Sequence, residues 1–548
     1  MTPEPSSRPE SPPLSESDDA PLLSRSPSPQ SPQPPKPPVS WSSLPNKGQL
    51  AVILLARLAE PLSERSLASY LFFQLQWFNP DIDPSEIPKQ MGYITATFAA
   101  AQCLTSMWWG RAADHPRLGR KRVLLIGLGG SSLSALGMGF SRSLGVAFLF
   151  RFCAGALNGN IGVLRTMVSE IVPEKRHKTR AFLLLPMCFN VGVIIGPLLT
   201  GFMADPVHTL PSIFGPGSLF GGENGVQWLE RFPYALPNLF CFSILMSAFF
   251  LVILGLDETH SHLRHRPDPG RRLGKLLLRI ILRRKKNDHL YSSIDIEDPS
   301  EELMDHDADQ EFGESSRPAK AYSKTRPPFR DVLTKNVCLN MLQRFLQSLH
   351  HVSAFNSILF SLLPTPKADS TDFHLPFRFT GGLGLSSERM GLANTIIGTI
   401  GIPLQLFIYP RLIGKLGVKA SYSAFLPLSI IAYFLLPYLV LLPDNNALVW
   451  TCLSAVLSLQ VLSRTFVNPA TMMLVNDSAP SPNLLGTVHG LASSISSAAR
   501  IMGPTVGGTL LGWGLAHNLV GLPLWVLTIL ALANWVILWW IDDVNMSE

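Results

Sequence analysis

Charge is what this 548-residue chain has least of. Asp, Glu, Lys and Arg make up 15% of it, against roughly 25% in a soluble globular chain, and 46% is hydrophobic. The shortage excludes an ordinary soluble domain. The charges also crowd into a few tracts, leaving apolar runs of about 20 residues, the length that crosses a bilayer as a helix. Cysteine is sparse as well. Cys103, Cys153, Cys188, Cys241, Cys338 and Cys452 all fall inside those runs and form no CxxC pair, so neither a disulfide framework nor a zinc site is indicated. No Walker sequence, hydrolase elbow, zinc motif or haem pattern appears, so ATP-driven pumping, enzymatic chemistry and a bound cofactor or metal have no support. The polar, Pro/Ser-rich start carries no cleavable signal, so the first span is expected to direct insertion. A net charge of +6 would suit nucleic acid, but the bases sit in loops between apolar runs. Membrane topology explains them, and no nucleic-acid partner is expected.

What is present reads as an all-α polytopic membrane protein. Twelve spans are expected at about 49–77, 90–111, 121–140, 144–170, 180–203, 234–257, 335–363, 387–411, 420–442, 446–474, 484–513 and 521–541. Loops near 111–122, 173–180, 258–330 and 411–419 hold the Lys and Arg, and they alternate with loops that are poor in them. The positive-inside rule then puts the basic loops and both termini in the cytoplasm. The domains expected are a disordered Pro/Ser-rich tail (1–45), a six-helix bundle (46–258), a cytoplasmic linker (259–330), a second bundle (331–542) and a short tail (543–548). The tail offers Ser-Pro pairs and an acidic dileucine pattern at Asp18, Leu22 and Leu23. Leu273, Leu276, Leu277, Ile280 and Ile281 recur at helical spacing among bases, as in a helix lying on an anionic leaflet, or in a solvated basic linker.

Ionisable residues inside spans are costly and usually face a cavity or a partner. Glu60 and Glu64 lie four apart on one face of the first span, with Pro61 between them as a possible opening point. A buried carboxyl can exchange a proton near neutral pH, so both are candidate proton carriers; alternatively they pair with Arg57 and Arg65. The fourth span holds Arg151, Asn158, Asn160, Arg165 and Glu170. The second half offers Arg344, Arg464, Asn468, His489 and Arg500, which line a cavity or tie helices together. His350 and His351 in span seven are candidate proton relays, and adjacent residues on a helix seldom share one metal ion. Phe355, Phe360, Tyr409 and Trp525 read as lipid or core aromatics. Gly192, Gly196, Pro197 and Gly201 in the fifth span have an echo in Gly503, Pro504, Gly507 and Gly508 in the eleventh. Such glycines let membrane helices approach closely, and proline permits a bend.

Three of these motifs carry a family resemblance. WWGRAADHPRLGRKR (108–122), with Gly110, Asp114, Gly119, Arg120 and Lys121, resembles the loop signature between spans two and three of the major facilitator superfamily; His115 and Pro116 stand as an insertion within it. Arg151 followed by Gly155 resembles that superfamily's fourth-span signature, whose Arg is implicated in proton coupling. NVGVIIGPLLTG (190–201) resembles its antiporter signature, with Thr200 in place of a glycine. Together with LARLAEPLSERS, LNGNIGVLRTMVSEI and LLGTVHGLASSISSAARIMGPTVGG, the chain looks most like the twelve-span drug:proton antiporters of the zinc-induced-facilitator-like and fungal multidrug branch.

The resemblance implies two six-helix pseudo-repeats rocking around a midplane site. It also implies proton-coupled export of a small molecule by a monomer in the plasma membrane, or alternatively the vacuolar one. Asp114, near Arg165 or the fifth span, would form an inner gate. A metal-tolerance or metabolite carrier and a transport-inactive sensor are the competing functions.

Overall fold

The computed structural model describes residues 44–172, 174–218, 220–223, 225–260, 262–282, 333–368, 373–443, 445–480 and 485–541. The Ser-Pro and dileucine features of the tail, the acidic part of the linker and the last residues lie outside this set.

Each expected span corresponds to a helix. α1 comprises Lys47–Ser66, a 3-10 turn Leu67–Ser69 and Leu71–Phe78. α2 is Glu86–Ala113, α3 Gly119–Gly139, α4 Leu144–Ile171, α5 Lys175–Met203 and α6 Ala235–Gly255. In the second half, α7 runs Lys335–Gln347, a π-helical Ser348–Ala354 and Phe355–Leu362. α8 is Ser387–Leu416, α9 Val418–Leu441, α10 Asn446–Asp477, α11 Leu485–Ala516 and α12 Leu522–Trp540. A linker helix, Pro269–Leu282, follows α6.

Among the described residues, seven of these helices are long and apolar enough to cross a membrane by composition: α3, α4, α6, α8, α9, α10 and α12. The other five dilute their apolar stretches with polar, charged or small residues, and four of them line the cavity described below. Their polarity is turned inward, while large apolar side chains such as Leu133, Phe250, Phe407 and Ile529 stay exposed on the outside. That inversion is expected where hydrocarbon surrounds the fold.

The glycine signatures show how the two halves repeat. On α5, a methyl group at Gly192 would fall 2.9 Å from Leu62 N and one at Gly196 3.0 Å from Ser66 Oγ, both on α1; at Gly201 it would fall 2.6 Å from Ser387 O on α8. On α11, one at Gly503 would fall 2.8 Å from Ala354 N and one at Gly507 3.2 Å from Ile358 Cγ1, both on α7; at Gly508 it would fall 3.1 Å from Pro88 C on α2. So α5 packs on α1 and α8 as α11 packs on α7 and α2. That is the correspondence parallel six-helix repeats require, and the small residues permit it by letting backbones touch. Thr200 adds polar ties where the signature has glycine: its hydroxyl donates to Gly196 O at 2.8 Å and meets Ser69 Oγ at 3.2 Å.

The α2/α11 and α5/α8 seams join the halves. Both are tight at the end of the bundle that carries the 79–85 and 204–234 loops.

Candidate functional site

The first half gathers its intramembrane charges around Glu60. This carboxylate is 5% exposed. It accepts from Arg57 at 3.0 Å and from Asn160 Nδ2 at 2.9 Å. Asn160 reaches it because α4 breaks at Leu157–Gly159, between Leu144–Ala156 and Asn160–Ile171. A break inside a membrane must have its freed carbonyls satisfied by protein. Two α2 side chains do this: Trp109 Nε1 donates to Ala156 O at 2.7 Å and Gln102 Nε2 to Asn158 O at 3.3 Å. Pro61, by contrast, does not open α1. The helix stays continuous from Lys47 to Ser66, and its irregularity falls at Leu67–Ser69 instead.

Glu64 faces a different environment. It stands beside Arg151 on the wall shared by two cavities. One lies within the first bundle and is lined by Glu60, Tyr70, Asn158 and Asn238 among others. The other lies between the halves, among α1, α2, α4, α7 and α11. Its apolar wall includes Leu71, Met91, Phe98, Val352 and Phe360; its polar groups include Glu64, Arg65, Gln102, Arg151, Asn356 and Arg500. Phe355 and Phe360 are both core residues, as expected, and Phe360 also forms part of the cavity wall.

The expected second-half residues divide. Arg500 lines the cavity and bonds to Gln102 Oε1 across the seam at 3.4 Å. Arg344 donates to Ser496 Oγ at 2.9 Å, tying α7 to α11. Asn468 accepts from Gln347 at 3.2 Å, and Arg464 is half-buried without an ion pair among the described residues. His350 and His351 sit in the π-helical turn and are fully packed. His350 meets Tyr433 and Asn534, and His351 meets Tyr433 and Ser429, at 3.2 to 3.4 Å. They belong to a polar network tying α7 to α9 and α12, away from the cavity lining.

The basic loop is clasped at the opposite end of the bundle from the tight seams. Gly119 adopts φ +76°, in the left-handed region that favours glycine. The Glu258 carboxylate then caps α3, accepting from Arg120 N at 3.1 Å and Lys121 N at 3.0 Å. Arg120 pairs with Glu170 at 2.8 Å, and Lys121 with Asp268 at the start of the linker helix at 2.5 Å. Asp114 differs from expectation. It is 74% exposed and its carboxylate faces Arg120 at 3.6 Å, whereas Arg165 is exposed without an ion pair among the described residues. His115 shortens the turn, its ring accepting from Arg117 N at 3.2 Å, and this leaves Asp114 on the outer side of the loop. Gly110 has open space where a methyl group would go, so it is not a close-approach site.

Sequence reasoning missed Gln102, Trp109, Glu258 and Asp268. Gln102, a polar residue in an apolar run, was the visible signal; the other three become meaningful only once α4 breaks and the linker folds back.

Residues 66–504 match the Major Facilitator Superfamily profile. The chain belongs to that superfamily. It is therefore a secondary transporter. A "Major facilitator superfamily multidrug transporter mfsB" from Aspergillus fumigatus is 32% identical over 533 residues, covering 92% of this chain and 84% of the relative. The "Protein ZINC INDUCED FACILITATOR 1" of Arabidopsis thaliana is 25% identical over 474 residues, covering 85% of this chain and 84% of that protein. The crystal structure of a D-xylose-proton symporter shares the fold, with a TM-score of 0.54 at 13% identity over 91% of this chain and 98% of its own. Both expected branches, fungal multidrug and zinc-induced-facilitator, are thus among its relatives.

Proposed function

We propose that this transporter exports small amphipathic molecules in exchange for protons by alternating access. One observation carries the reading. A cavity holding Glu64, Arg65, Arg151 and Arg500 lies between two repeats whose closest described backbone approaches lie toward one end, with single side-chain ties such as Asn190 to Gln405 at 2.6 Å farther along the seam. With the basic loops in the cytoplasm, that closed end is external and the cavity belongs to an inward-facing state. Both termini are then cytoplasmic, in the plasma membrane, and one chain contains a whole site. The Aspergillus relative's designation as a multidrug transporter supports export.

Glu60 and Glu64 are the proton carriers in this scheme, and Arg151 is the base that senses their charge. Protonation of Glu60 would release Arg57 and Asn160, loosening α1 from the broken part of α4. Alternation would part the α2/α11 and α5/α8 seams, whose backbone-on-backbone packing suits two discrete states. The clasp of Glu258, Arg120 and Glu170 would keep α3, α4 and the end of α6 moving as one body. The linker helix, with Leu273, Leu276 and Ile280 exposed beside Arg272 and Lys275, would lie on the anionic cytoplasmic leaflet.

The test is reconstitution in vesicles with an imposed pH gradient and a loaded dye substrate. Efflux should accelerate with the gradient and fall when an ionophore collapses it. Efflux indifferent to the collapse would rule out antiport.

A further inference from the structure

We propose that the cavity between the halves takes its substrate as an organic anion, an apolar body carrying a carboxylate, sulfonate or phosphate group. The inference rests on this cavity being the transport site, and not on proton coupling or direction.

Three guanidinium groups line the cavity against one carboxylate, Glu64. Arg151 is 9% exposed. Among the described residues it has no carboxylate within ion-pair distance, and its buried Nε has no hydrogen-bond partner. What it does have is the face of Phe98, 4.5 Å from its guanidinium carbon. Arg65 repeats the pattern, with a buried Nε lacking a partner and the Phe189 ring at 5.9 Å. Arg500 has neutral partners, Gln102 Oε1 at 3.4 Å and Ser497 Oγ at 3.2 Å.

Several bases outside the cavity are paired: Arg57 with Glu60, Arg120 with Glu170, Lys121 with Asp268 and Arg271 with Asp257. Among the described residues the three cavity arginines have no such pairing, and they are the ones that converge on a single space. A guanidinium withdrawn from water is costly until an opposite charge meets it. Its planar fork presents paired donors that fit an oxyanion's two oxygens. Leu71, Met91, Phe98 and Phe360 supply apolar wall for the rest of such a molecule. A cationic ligand would meet three like charges with one carboxylate to offset them. Arg65 and Arg151 come from the first half and Arg500 from the second, so a bound anion would engage both.

The full-length transporter in nanodiscs of phosphatidylcholine, titrated by fluorescence anisotropy, tests this with two dyes that share a xanthene ring. Fluorescein is anionic and rhodamine 6G is cationic. Fluorescein should bind tighter by about tenfold or more, and less tightly as salt rises. Arg151→Gln and Arg500→Gln should each weaken it by about 10- to 100-fold, the size of a lost charge-assisted contact. Arg142→Gln, which removes one positive charge at the 140–143 loop, should leave it unchanged. Intrinsic-fluorescence melting checks the fold of each variant, and Arg500→Gln carries the test where Arg151→Gln does not fold. Tighter binding of rhodamine 6G, no saturable binding of fluorescein, or wild-type fluorescein affinity in the folded variants overturns the proposal. Export insensitive to a pH gradient with fluorescein binding intact sinks antiport alone. Gradient-driven export of rhodamine 6G without fluorescein binding sinks the anion site alone.

Discussion

Gly391 on α8 offers a direct test of the rocking mechanism. Its Cα faces the signature proline of α5. A methyl group there would fall 2.7 Å from Pro197 O, 3.1 Å from Leu198 Cα and 3.3 Å from Leu198 O. All three are backbone atoms, so no side-chain rotation relieves the clash. Ordinary contact begins near 3.4 Å, so Gly391→Ala must push α8 off α5 by several tenths of an ångström. Overpacking of this kind costs about 1–3 kcal/mol. The cost applies where the seam is closed and vanishes where it parts. The equilibrium between the two states should therefore move toward the externally open one by roughly 5- to 150-fold. Electron–electron resonance between spin labels at Asp81 and Asn446, in a background without the native cysteines, reads this out. The label separation at that end should lengthen, and export should slow because the inward-facing state becomes scarce. Gly414→Ala is the matched control, on the same helix with nothing within 4 Å of the added methyl. Unchanged distances and transport in Gly391→Ala, or the same shift in Gly414→Ala, would refute the seam as the moving joint.

Other substitutions probe the remaining parts. Glu60→Gln should lower gradient-driven export by about tenfold or more while sparing substrate exchange without a gradient, and preserved gradient-driven export would exclude Glu60 as a carrier. Glu258→Gln, which weakens the charge-assisted cap on α3, should lower stability by about 1–3 kcal/mol, against under about 1 kcal/mol for exposed Asp114→Asn. Thermal unfolding in detergent ranks the two. Burial opposes ionisation of Asp268, but its hydrogen bond and charge pairing with Lys121, and the backbone N–H groups of Arg271 and Gly270, outweigh this and hold the carboxyl below the ordinary range. A lowered value means the tie is complete above the ordinary carboxylate range and is lost as pH falls through the lowered one. It is therefore intact at neutral pH, where Asp268→Asn should raise amide hydrogen exchange across Pro269–Leu282 by about tenfold.

The sequence by itself determined much of this protein. Apolar length marks the helices, because hydrocarbon forces each run to satisfy its backbone as a helix, and seven of them meet that measure among the described residues. The repeat was legible in two Gly-Pro clusters, because backbone contact admits no substitute for a missing side chain. Arg151, Glu60 and Glu64 stood out because charge inside a membrane is rare. The tertiary structure decided their partners. Periodicity places Glu60 and Glu64 on one face, and both line the first-bundle cavity; only the fold shows that Glu60 is bonded by Asn160 across a break in α4 and that Glu64 also opens between the halves. The loop signature marked Asp114, yet the close ties run to Glu170, Glu258 and Asp268, up to 147 residues away. Span length and spacing are local properties fixed by the solvent. Which bases stay unpaired around a cavity depends on how six-helix halves meet, and no local pattern records that.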